Sequence, residues 1–395
     1  MKRILRDERG MALALAIVAL VIVGALVAGA LFSGMQEQRA AENSRRVLQA
    51  FGVAEEEAYD VINQWNTQVY NGQKVYPLDS TALVTGWPTT WANSANQTGV
   101  YGGYVYRLNG QQYLVDVTAR DLVSYGNAAL QQEGGGGRER LGLLVRNKPF
   151  QFAIKAALTT GNGDAVGGNS TISGIDQSPT NWAGCGPTGN AVGGIRAASG
   201  DVVTISGSAH VTGNPPVIID TSVHASTFDT YYNLLVSMAN ITIPATTFAT
   251  AIAPALNASG QCDRTVSTNW GDPLNPTLPC GNYFPIIHIT GTGATTTING
   301  TEGQGILLVD GTLAVQGGFQ FYGITIVKGS LKTAGAGTSP AHFWGATMVQ
   351  DSVQVGTNTL TGSANLLYST CTIQTALNRT APGVMMRSRG WVPLF

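Results

Sequence analysis

Charge is scarce in this chain. Only 11% of its 395 residues are Asp, Glu, Lys or Arg, and the formal net charge is −1. Binding to nucleic acid needs Lys and Arg gathered on one face. The only dense basic cluster here is Lys2, Arg3, Arg6 and Arg9, at the start, so no nucleic-acid partner is expected. Cysteine and histidine are sparse as well. The four cysteines (Cys185, Cys262, Cys280 and Cys371) all lie past Lys148 with no CxxC spacing, and the four histidines are isolated. No metal site is expected from such a set. HExxH, GxSxG, a Walker loop, an EF-hand pattern and GGxGxD repeats are all absent.

Paired carboxylates are missing from the body of the chain past Lys148. Glycoside hydrolysis needs two of them roughly 5–10 Å apart. Asp201, Asp220, Asp229, Asp263, Asp272, Asp310 and Asp351 include no adjacent pair and no DxD. The chain therefore reads as a non-enzyme with no catalytic residue and no cofactor. His288, inside the apolar run FPIIHIT, reads as a hydrogen-bonded wall residue.

What is present begins with one long apolar run. Met11 to Phe32, MALALAIVALVIVGALVAGALF, is apolar or Gly throughout, and no charge returns until Glu37. As a helix these 22 residues span roughly 30 Å, the hydrocarbon thickness of a bilayer. A cleaved secretion signal has an apolar core of about 7–15 residues; Ala28-Gly29-Ala30 would serve as a cut site, but the run is too long. Helix formers continue from Gln36 to Trp65 without proline. Val47, Leu48, Phe51, Ala54, Ala58, Val61, Ile62 and Trp65 step at helical spacing. The span is expected to continue into an amphipathic helix as one rod.

The basic leader MKRILRDERG, the apolar start at Met11 and the long helix resemble the class III signal of type IV pilins and of the pseudopilins of type II secretion, and PilX-type minor pilins in particular. The resemblance covers about the first 65 residues. It implies cleavage by a prepilin peptidase between Gly10 and Met11, methylation of the new N-terminus, and partners that are other pilin subunits and inner-membrane lipid. The carboxylate that most major pilins carry near the start of the mature helix falls at Leu15 here. That departure points to a tip or minor subunit.

After the helix, Tyr101–Leu108 and Gln112–Ala119 alternate like strands around the hairpin signal Asn109-Gly110. A third run, Arg140–Arg146, follows the flexible stretch Gly134–Gly137. Past Lys148 the texture changes to Gly, Thr, Ser and Val. GILLVDGTLAV from Gly305, GITIVKGSLKT from Gly323 and GATMVQDSVQV from Gly345 align at spacings of 18 and 22 residues. Such a period with β-prone residues predicts a solenoid. Ile306, Ile324 and Ala346 would stack inside it, as would Leu313, Leu331 and Val353. The column Asp310, Lys328, Gln350 would form a solvated edge. Thr227–Met238 and Thr246–Leu256 read as short helices or an arm, and Cys262–Cys280 encloses a proline-rich capping loop. The four cysteines allow three pairings; Cys262–Cys280 is favoured, leaving Cys185–Cys371.

The expected fold is thus an α+β pilin-like unit, a long helix with a small antiparallel sheet, followed by an all-β right-handed parallel β-helix, or else a β-sandwich. The expected divisions are a leader at 1–10, a membrane and polymerising helix at 11–34, an amphipathic helix and head at 35–149, and a β unit at 150–395. The expected role is that of a minor pilin or pseudopilin, in the bacterial inner membrane and then in a periplasmic or extracellular filament. In this reading the β unit is displayed for adhesion to a surface ligand or for contact with a partner. The alternative is an anchored or secreted β-helix carbohydrate-active enzyme or adhesin. Trp65, Trp87, Trp91, Tyr101, Tyr104 and Tyr106 on the head, with Trp344 and Trp391, are candidate contact residues.

Overall fold

The computed structural model describes residues 8–126, 137–180, 182, 185–186, 188–248, 252–334, 340–355, 364–387 and 391–393. Most of the expected leader, residues 1–7, and residues 134–136 of the glycine run lie outside these. Gly10 and Met11 lie within the first helix, α1 (Glu8–Asn63). It is 56 residues long, roughly 80 Å at the usual rise. Asn66 caps the short α2 (Thr67–Tyr70) by accepting from the Val69 N–H.

The C-terminal half of α1 lies on an antiparallel sheet. Its strands are β1 (Thr81–Ala82), β2 (Ala92–Asn93), β3 (Gly99–Arg107), β4 (Gln112–Asp121) and β5 (Arg138–Asn147). The helix α3 (Leu122–Gly126) follows β4. Asn109 shapes the β3–β4 hairpin: its Oδ1 accepts from the N–H groups of Gln111 and Gln112 at 2.9 Å each. Of the expected stripe of α1, Ala54, Ala58, Val61, Ile62 and Trp65 lie in or against the head core, but not every member does. Ala50, Val53, Ala54 and Ala58 face the sheet, whereas Leu48 and Phe51 are exposed. Alanines at a spacing of four let the helix approach closely, and Ala54 and Ala58 pack with Val53 over Val105, Val115, Val117, Leu143 and Val145.

The β unit follows. Its first part holds β6 (Ala156–Thr160), β7 (Asp164–Val166), β8 (Thr171–Ser173), β9 (Gly193–Ala198), β10 (Val203–Ile205), β11 (His210–Thr212) and β12 (Val217–Asp220). Helix α4 (Ala225–Val236) interrupts it. Then come β13 (Ile241–Pro244), β14 (Thr247–Phe248), β15 (Ile286–Thr290), β16 (Thr295–Asn299), β17 (Glu302–Val309) and β18 (Thr312–Gln316). The last part is β19 (Gln320–Val327), β20 (Leu331–Ala334), β21 (Ala341–Val349), β22 (Val353–Val355) and β23 (Ala364–Tyr368), with α5 (Thr370–Thr380) after it. From β13 to β23 the chain alternates between two sheets, paired in parallel at every described step, and both feed one apolar interior.

The interior ladders form as the repeat dictates. Ile306 pairs with Ile324 and Ile324 with Ala346; Leu313 pairs with Leu331 and Leu331 with Val353. The glycine opening each repeat has a backbone reason. Gly305, Gly323 and Gly345 have φ of 111°, 141° and 131°. A Cβ on Gly323 would sit 2.0 Å from the Gly305 carbonyl oxygen.

The order of the stack is not the order of the chain. The last strands, β21, β22 and β23, pair with the first, β6, β7 and β8, so the end of the β unit docks on its beginning. The Cys185–Cys371 disulfide crosses this junction, joining positions 186 residues apart. Cys262–Cys280 closes the proline-rich loop. Within that loop Trp270 is fully buried against Phe248 on the terminal strand β14. Two further expectations change. Thr246–Leu256 is not helical among its described residues: it gives β14 and an irregular stretch. The C-terminus also leaves the β unit. β24 (Gly383–Met385) and β25 (Trp391–Pro393) pair antiparallel with β5, so the boundary at 149 is crossed twice.

Candidate assembly surface

Among the described residues, the apolar half of α1 packs against nothing. Residues such as Leu13, Leu15, Ile17, Leu20, Leu26 and Phe32 are 56–75% exposed, and the tract is long and apolar enough to cross a membrane. Each large aliphatic side chain left in water forgoes about 1.5–3 kcal/mol of burial. With thirteen such residues between Leu13 and Met35, the total is on the order of tens of kcal/mol, so this surface needs lipid or protein around it. Leu15 carries no charge, so no carboxylate has to be satisfied there. Leu48 and Phe51 extend the exposed apolar surface past the bilayer-length tract, on the side of α1 facing away from the sheet.

The candidate aromatic residues divide. Trp65 is core: its ring meets Tyr113 edge-on at 5.2 Å and its Nε1–H donates to Asn71 Oδ1 at 3.0 Å. Trp87 and Trp91 meet at 4.7 Å, with Arg120 5.1 Å above Trp91, and both indoles are half-buried. Tyr104 and Tyr106 form a second half-buried pair. Tyr101 lies against the head core, and its hydroxyl bonds Glu57, a carboxyl that burial holds above the ordinary Glu range. Trp344 stacks on Tyr322, which stacks on Trp182, forming an outer ladder on the β unit. The side chain of Trp391 lies outside the described residues.

What α1 carries is fixed by polar contacts that sequence reading missed. Asn71 Nδ2 donates to the carbonyls of Asn378, Arg379 and Ala381 at 3.1, 3.0 and 2.8 Å. Gln68 Nε2 reaches the Phe284 carbonyl at 2.8 Å and Asn240 Oδ1 at 3.1 Å. Arg379 donates to the Asn71 carbonyl and, at 3.0 Å, to Asn282 Oδ1. Burial, aided by the like charge of Arg107, lowers its guanidinium to about 10. These bonds join the end of α1, α2, α5 and the β unit into one piece. Their partners lie 97 to 310 residues away in sequence, and no local pattern marks them.

The polar column also differs from a solvated edge: two of its members hold α4 to the stack. Asp310 Oδ1 accepts from the Tyr232 hydroxyl at 2.7 Å and lies 3.0 Å from His288 Nε2. Lys328 pairs with Asp229 at 2.9 Å and sits 5.0 Å above the Tyr232 ring. Burial works to raise the Asp310 carboxyl, but the bonds from His288 and Tyr232 hold it below its ordinary range. Burial and the Asp310 bond raise the Tyr232 hydroxyl. His288 is thus a wall residue with a carboxylate partner.

Among solved structures the chain is similar to the competence-associated pilin ComZ from Thermus thermophilus. The match covers 88% of this chain and 97% of that one, at 11% identity and a TM-score of 0.25. A TM-score that low means that the two chains do not superpose as whole folds. No family model matches the sequence. No curated protein matches it either.

Proposed function

We propose that the chain is a structural, non-catalytic subunit of a type IV filament, a minor pilin of the PilX type or a pseudopilin. In this reading a prepilin peptidase removes residues 1–10 and Met11 becomes the methylated N-terminus. The protein waits in the bacterial inner membrane and enters the filament when α1 packs against the helices of other subunits. The observation that carries the reading is α1 itself: one unbroken helix, bare and apolar over its first half and buried on an antiparallel sheet over its second. In lipid such a helix satisfies its own backbone, and in a filament the same surface is covered by neighbours. Leu48 and Phe51 support the filament over a plain anchor, because they lie beyond what a bilayer covers.

The two-sheet winding is read as a right-handed parallel β-helix, held out from the filament by the Asn71 and Gln68 contacts. An uncharged Leu15 and so large an outward body favour a tip position, with the β-helix available for adhesion. The test is crosslinking in the native membrane. A photoreactive side chain at Leu48 is expected to capture the helix of another subunit, and the product to appear in sheared filaments. Capture of lipid alone, with no filament-associated product, would leave only an anchor.

A further inference from the structure

A small cleft in the β unit carries a second inference, independent of what α1 does. It lies between the segment preceding β6 and helix α4. Its volume is about 220 Å³, and its walls include Phe152, Ile154, Lys155, Arg196, Tyr231 and Met348. Among the described residues, no Asp or Glu lines it. In a chain with 22 Lys and Arg residues in all, two of them meet here.

Their charge is only half compensated. Arg196 is 6% exposed; its Nε donates to Asp220 Oδ2 at 2.8 Å and its Nη2 to Ser222 Oγ at 3.0 Å. Lys155 Nζ stands 3.8 Å from the same Asp220 oxygen. The other Asp220 oxygen already accepts from the Ser222 N–H and hydroxyl. These bonds, with Arg196, hold that carboxyl well below the usual range. One carboxylate therefore answers two cations. Asp229, on α4, is engaged by Lys328 at 2.9 Å. A positive charge is left at the mouth of a cleft whose body is apolar: the Phe152 and Tyr231 rings lie 4.6 Å apart as one wall, with Ile154 and Met348 beside them. The volume falls below the usual range for drug-sized ligands, about 300–1,000 Å³, so a single ring or short chain is the fitting size.

We propose that this cleft binds a small monocarboxylate with an apolar ring or chain. Its carboxylate would sit on Lys155 beside Arg196, and its body against the Phe152–Tyr231 wall. A charge-assisted bond from the Lys155 ammonium, with the buried Arg196 guanidinium beside it, favours the anion over a neutral isostere. The test uses the full chain in uncharged detergent, titrated with benzoate, benzyl alcohol and glucuronate and followed by calorimetry and saturation-transfer NMR. Benzoate is expected to saturate one site, with benzyl alcohol and glucuronate each about tenfold weaker or more. Lys155→Gln, a change at an exposed side chain, is expected to weaken benzoate about tenfold. Tyr231→Ala is expected to weaken it as well, while Lys332→Gln on the outer face of β20 leaves it unchanged. Absence of saturable benzoate binding, equal binding of benzyl alcohol, tighter binding of glucuronate, or indifference to Lys155→Gln would each overturn the proposal.

Discussion

Asp164 occupies a place shaped for a valine. The ladder Leu313, Leu331, Val353 continues through Asp164 to Val203. Both of its carboxyl oxygens are buried without a well-formed hydrogen bond. Burial first, and further the like charge of Asp201, push this carboxyl up to about 7, with Thr160 opposing. The sign of the effect follows from the two states. Below about pH 4 the acid is neutral whether the chain is folded or unfolded. Between about 4 and 7 the unfolded chain gives up its proton while the folded chain keeps it, so stability falls as pH rises. Above about 7 the loss is complete, on the order of 3–4 kcal/mol. Asp164→Val is therefore expected to raise the denaturation midpoint strongly at pH 8 and much less at pH 4. A gap that does not vary with pH would show that ionisation of this residue is not the cause. Asp164 is hidden in the sequence because an aspartate before a β-prone pair looks like a turn residue. Only the pairing of the first coil with the last puts it inside.

At the scale of elements, the coils depend on their glycine column and on the non-sequential junction. Gly323→Ala places a Cβ against the Gly305 carbonyl at a φ of 141°. The expected cost is about 2–4 kcal/mol, read from the thermal midpoint. Replacing both Cys185 and Cys371 with serine releases a closure of 186 residues, nominally worth about 4–5 kcal/mol. Hydrogen exchange is expected to quicken in β6–β8 and β21–β23 and to change little in β15–β18. Uniform loss across the stack would contradict a local staple. These elements differ in how far the sequence reveals them. The hairpin at Asn109-Gly110 and the three aligned repeats were legible because turn chemistry and side-chain stacking are local or periodic. The buried face of α1 was misjudged because Leu48 and Phe51 are as apolar as any core residue, and burial there is decided by a preference for alanine at close contact. The docking of α4 on Asp310 and Lys328, and the return of β24 and β25 to the head, join distant segments with no shared pattern.

For the whole molecule, the account requires that helix, head and β unit move as one body. Asn71 is the joint where this is most exposed to test. Asn71→Ala removes the side-chain bonds to the carbonyls of Arg379 and Ala381 and one of two to that of Asn378, each worth about 1 kcal/mol. The expected result is two melting transitions, one for head and one for β unit, where the parent shows one. A single unshifted transition would mean that the joint is held elsewhere. Joined this way, a load on α1 reaches the β stack through α2 and α5 without passing through a flexible linker. The central claim remains that the bare half of α1 is part of the working protein, covered by other helices. The most direct measurement is the intact mass of the mature chain recovered from membranes and from sheared filaments. The account predicts a chain beginning at a methylated Met11 in both fractions. A chain beginning after Ala30 would contradict it, whatever the β stack is found to bind.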